Sequence, residues 1–167
     1  MTLLNSQFDI CSIDNPQALA ALAQSLPVDS PPGLDVNGTP QAGTIPAGTV
    51  VMMNAAGNAV PAATPDISAA NKVLPFVAID GNQDFDGRFV EVLTVLHGGF
   101  TMWTDQFVAG AYEPRLPVTF GTTVPGKVEL LTNRATQQLL GFVGPKGLDT
   151  TTTPNRLHVI VPQGAGL

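Results

Sequence analysis

The sequence predicts a mainly β protein, and three observations carry that expectation. Short runs rich in Val, Ile, Leu, Thr and Phe recur at intervals of about 8–15 residues from position 44 onward. Glycine and proline, 17 and 15 residues respectively, fall between those runs, where turns need them. No amphipathic helix pattern of ordinary length follows residue 44. Such spacing suits a compact barrel or a sandwich. A chain of 167 residues has room for one such domain, placed at 44–167, and an N-terminal arm and linker at 1–43.

The arm reads differently from the rest. Asp14 is placed to cap a short helix, and Pro16 sits near its first turn, where a missing N–H costs nothing. Gln17 to Leu26 is rich in Ala and Leu, strong helix formers, and Leu19, Leu22 and Leu26 share one face. Pro27 stops this helix, and Val28 to Gly43 reads as an extended linker rich in Gly, Pro and Thr. Residues 4–11 alternate in the period-two manner of an added edge strand, which makes Leu3, Leu4, Phe8 and Ile10 a second apolar set. A short helix on a linker cannot bury its stripe alone. These leucines and Leu3, Leu4, Phe8 and Ile10 are therefore expected to anchor the arm on a partner, or else to pack back on their own domain.

In the domain, Ile45 to Met53 is apolar, Asn54 to Asn58 supplies a turn, and Ala59 to Ala62 returns, so a hairpin is expected. Lys72 to Asp80 is the next strand region, followed by a loop at Gly81 to Gly87. Arg88 to His97 is apolar on both faces and is placed centrally, between two layers. Gly98-Gly99 breaks it. Phe100–Thr104, Leu116–Phe120, Lys127–Thr132, Gln137–Val143 and Leu157–Val161 complete the expected strands.

Charge sets the functional class. Only 12% of residues are Asp, Glu, Lys or Arg, against a usual ~25%. A chain with so few charges is expected to cover surface against other copies or a larger assembly. The net charge of −6 and only 7 scattered basic residues argue against binding nucleic acid or an anionic membrane. No apolar run approaches the ~20 residues of a membrane span. The single Cys11 allows no internal disulfide, and the N-terminus reads as lacking a signal peptide, which implies synthesis in a cytoplasm.

Chemistry-bearing motifs are sparse. Asn82, Asp84, Asp86 and Gly87 match the early positions of a calcium loop, but Leu93 stands where a bidentate Glu is needed. A turn rich in Asp and Gly accounts for the same residues. His97 and His158 have no second ligand at zinc spacing. The serines lie in the arm or a loop and none sits in a nucleophile motif, so no catalytic residue, enzyme activity or cofactor is expected. Trp103 reads as a large buried anchor.

Three stretches carry a resemblance. Gly43 to Ala62 reads as glycine, apolar strand, small-residue turn and return. Ala111 to Phe120 precedes Pro125-Gly126-Lys127-Val128, and Gln138 to Pro145 reads as a late strand, ahead of a final one at Leu157 to Pro162. Over roughly residues 43–162 this pattern resembles the capsid decoration, or cement, proteins of tailed bacteriophages. The resemblance implies a compact β-barrel-like or β-tulip domain, commonly a homotrimer. It further implies an N-terminal arm reaching across the shell, the major capsid protein as partner, and a place on the virion exterior. The short helix in the arm departs from many such arms, which are extended. The alternative is a tail, baseplate or receptor-binding structural protein, which shares the low charge and β content. The repeats or coiled coil usual in an external fibre are missing.

Overall fold

A computed structural model describes residues 12–14, 23–28, 45–63, 72–81 and 92–164. Among these residues it is built of strands: β1 (Ser12–Ile13), β2 (Gln24–Pro27), β3 (Val50–Met53), β4 (Ala59–Pro61), β5 (Phe76–Ala78), β6 (Val92–Leu96), β7 (Phe100–Thr104), β8 (Pro117–Phe120), β9 (Val128–Leu130), β10 (Gly141–Asp149) and β11 (Arg156–Val161). They form two antiparallel sheets, a six-stranded one in the order β1-β7-β11-β10-β8-β9 and a five-stranded one in the order β2-β6-β5-β3-β4.

The expected hairpin forms where the turn residues stand. Met53 pairs with Ala59. Asn54 Oδ1 accepts the amides of Ala56 and Asn58 at 2.9 and 3.0 Å. Gly57 takes the left-handed φ of 85° that a side chain would resist.

The five-stranded sheet is apolar on both faces. Val50, Val77 and Leu96 point into the main core, shared with Phe100, Met102, Val118, Phe120, Val143 and Val159 of the other sheet. Their alternating neighbours Val51, Phe76, Ala78, Leu93 and Val95 form a second buried cluster with Leu26, Val28, Ile45 and Ala59. The reason is curvature: an isolated bridge joins Val28, just past β2, to Ala59 of β4, at opposite ends of the strand order. The sheet curls until its ends touch, and its concave face encloses its own side chains. That single bridge is not a continuous ladder, so a closed barrel does not form. The reading of Arg88 to His97 as buried on both faces holds for Leu93, Val95 and Leu96 but not for Val92, which is exposed, and residues 88–91 lie outside the described residues.

Two N-terminal expectations need correcting. Gln24 to Leu26, read as the last turn of a helix, is strand: Gln24 pairs with Val95 and Leu26 with Leu93. Tertiary pairing outweighs the helix propensity of a few residues, and Pro27 is tolerated because β2 is an edge strand. Leu26, expected as an arm anchor, is 8% exposed within the second cluster, so it is occupied by its own domain. The rest of the expected helix lies outside the described residues. The stretch read as an arm thus contributes one edge strand to each sheet, β1 against β7 and β2 against β6.

Candidate functional site

The outer face of the six-stranded sheet, opposite the main core, is the strongest candidate surface. Strand alternation builds it. Phe100, Met102 and Thr104 of β7 are buried, while Thr101 and Trp103 face outward and are half-buried. Register aligns Pro117 with Phe142, Phe142 with Ile160, and Ile160 with Thr101, one row across four strands. Phe142 is half-buried and Ile160 exposed. A neighbouring row runs from Ser12 through Trp103 to His158. The first row is apolar through Pro117, Phe142 and Ile160, suited to burial against another surface, and the second carries polar groups beside Trp103.

Where β1 joins this sheet, four side chains meet. His158 Nε2 lies 2.8 Å from Asp14 Oδ2, linking residues 144 apart in sequence. The imidazole packs on Trp103, ring centroids 4.7 Å apart, and the Lys146 ammonium lies 5.7 Å from the Trp103 ring centre. Trp103, expected as a buried anchor, is a half-buried platform for these groups.

Several other polar groups have structural partners, while among the described residues the buried Thr119 hydroxyl has no hydrogen-bond partner. Asp80 Oδ1 accepts the Thr94 amide at 2.8 Å, and His97 Nδ1 lies 2.9 Å from the Pro75 carbonyl. Glu129 is buried and accepts the Thr123 amide at 2.7 Å. Tyr112 donates to the Val108 carbonyl at 2.6 Å. Burial, reinforced by the nearby Glu129 charge, pushes its phenol up to about 12. The hydroxyl and amide of Thr151 hold the Asp149 carboxyl below the usual carboxylate range, with help from Arg156. Among the described residues no group of three or more His, Cys, Asp or Glu is placed to hold a metal ion.

Leu3, Leu4, Phe8, Ile10, Leu19 and Leu22 lie outside the described residues, as do the calcium candidates Asn82, Asp84 and Asp86. Sequence reading missed the outer row because Pro117, Phe142 and Ile160 belong to three separate strands. It also assigned Asp14 to a helix cap, whereas its carboxylate faces His158. Among the described residues no helix is long and apolar enough to cross a membrane. No protein-family model, curated protein or solved structure matches this chain.

Proposed function

We propose that this chain is a structural protein of a tailed-bacteriophage virion, one that binds the outside of the expanded head as a trimer and opposes separation of capsomers. The observation that carries the reading is the apolar row Pro117, Phe142 and Ile160, turned away from the core in a chain only 12% charged. Further support comes from the three stretches of the phage-like pattern, which overlap β3–β4, β8–β9 and β10, and from the final strand expected after them, which overlaps β11. A β-tulip-like or sandwich arrangement is the finer architecture that accompanies this reading.

In this role the chain needs no catalytic group, cofactor, nucleic acid or membrane. Its partner is the major capsid protein. Apolar burial stabilises the contact at ~25 cal/mol per Å², less the cost of lost translational and rotational freedom on association. Leu3, Leu4, Phe8, Ile10, Leu19 and Leu22 serve as arm anchors, and repeated identical sites around a shell add avidity.

Immunogold electron microscopy of particles from the source, with antibody to this chain, tests the proposal. Label spread over heads is the expected result. Label confined to tails replaces the head reading with a tail or baseplate component. Particles without label overturn the virion reading altogether.

A further inference from the structure

We propose that Asp14 and His158 form a latch that fastens the N-terminal segment to the edge of the six-stranded sheet and sets how readily that segment opens. The geometry of the β1 edge alone defines this latch, independently of any place in a virion.

β1 is too short to hold itself. It has two residues, paired as Ser12 with Trp103 and Ile13 with Met102. A ladder of that length at a sheet edge lies at the low-stability end of a protein. Three contacts reinforce it. Ile13 packs, half-buried, against the main core. The Asp14 amide donates to the Thr101 carbonyl at 2.9 Å. The Asp14 carboxylate, on the outer face, meets the imidazole of His158.

The imidazole is prepared for that contact. His158 is 2% exposed and sits between Trp103 and β10. The Lys146 amide approaches its Nδ1 at 3.5 Å. A donor on that side leaves Nδ1 as acceptor, so Nε2 carries the proton toward Asp14. Gly144 makes the room: a Cβ there would overlap the imidazole Nδ1. Its backbone is not left-handed, so alanine at 144 acts through His158 and not through strain. Asp14, by contrast, has a side chain 36% exposed, and it is the half of the pair that can leave for water. A buried, oriented donor facing an exposed carboxylate on a two-residue strand is a fastening with one fixed and one movable part.

Residue-resolved amide exchange by NMR on the full chain tests this. In Asp14→Ala the protection factor of the residue 14 amide, which corrects for the changed side chain, should fall about tenfold, the scale of one lost charge-assisted hydrogen bond. Amides of Val143 and Val159 should keep their wild-type rates. Asp14→Asn, which retains an acceptor, should fall between the two. Gly144→Ala should open β1 from the opposite side by displacing the imidazole. Unchanged protection at residue 14 in Asp14→Ala overturns the proposal. So does an equal acceleration at Val143 and Val159, which would make the pair a global stabiliser instead of a latch. Asp14 is exposed, so the decisive variant does not depend on a buried substitution being tolerated.

Discussion

The two sheets solve the same problem in different ways. The six-stranded sheet buries one face and leaves the other partly open, and β7 shows this as strict alternation of buried and half-buried residues. The five-stranded sheet sends buried side chains from both faces into two separate clusters, because it curls until Val28 meets Ala59, and only marginal residues such as Met53 and Val92 stay exposed. Its strands accordingly carry consecutive apolar residues, Val50-Val51 and Phe76-Val77-Ala78, with adjacent residues feeding different clusters. Antiparallel sheets ordinarily keep a solvated face. Curvature covers the middle of that face without a further layer from the described strands, while Val92 and Met53 stay exposed at its margins and Ile160 stays exposed on the outer surface of the other sheet.

The largest expected effect sharpens this contrast. Leu93, fully buried on the concave face of the five-stranded sheet, should behave as a core residue. Leu93→Ala is expected to cost ~2–5 kcal/mol in denaturant unfolding. A loss below ~1 kcal/mol would mean that the concave face is not a core. Next is the junction between the sheets, where Gly126 donates to the Ala62 carbonyl at 2.8 Å and Val50 donates to the Gly126 carbonyl at the same distance. Gly121 lies there with φ 64°, and a Cβ would overlap the Ala62 carbonyl oxygen. Gly121→Ala should cost ~2 kcal/mol or more, measured the same way. Unaltered stability would show that the sheets are not coupled at this point.

A smaller effect appears with pH. Tyr112 is the one tyrosine, so its ionisation can be followed by ultraviolet absorbance. The folded phenol should titrate near about 12 rather than near 10.0. Because the folded value is raised, its stabilising contribution is complete below pH ~10 and is lost as pH climbs toward the folded value. Titration near 10 in the folded protein would contradict the packing of Tyr112 beside β9. The smallest change belongs to the outer row. Ile160 is 37% exposed, and Ile160→Thr should alter stability by no more than ~0.5 kcal/mol. In a particle-binding assay the same substitution should weaken attachment. A large stability loss would instead place Ile160 in a core and erase the contrast between the sheets.

Particular elements show what was readable. The β3–β4 turn was legible because Asn54, Gly57 and Asn58 carry its chemistry locally. The two-faced character of β6 was legible in part: Leu93 and Val95 enter one cluster and Leu96 the other, while Val92 is exposed and residues 88–91 lie outside the described residues. The strand at Gln24–Pro27 was not, because Ala and Leu upstream favour helix while the partner that makes it a strand, β6, stands about seventy residues later. β1 was invisible for the same reason in stronger form: two residues have no period.

By itself, then, the amino-acid sequence determined the β class of this protein, the Asn54–Asn58 turn, its low charge and the strongly apolar character of β6. Those properties follow from local conformational preference and from composition, and they need no knowledge of neighbours. Only the tertiary structure decided that the five-stranded sheet curls on itself, that the N-terminal residues edge both sheets, that Pro117, Phe142 and Ile160 share a row, and that Asp14 meets His158. Each of those depends on register and curvature, which bring together residues from distant strands.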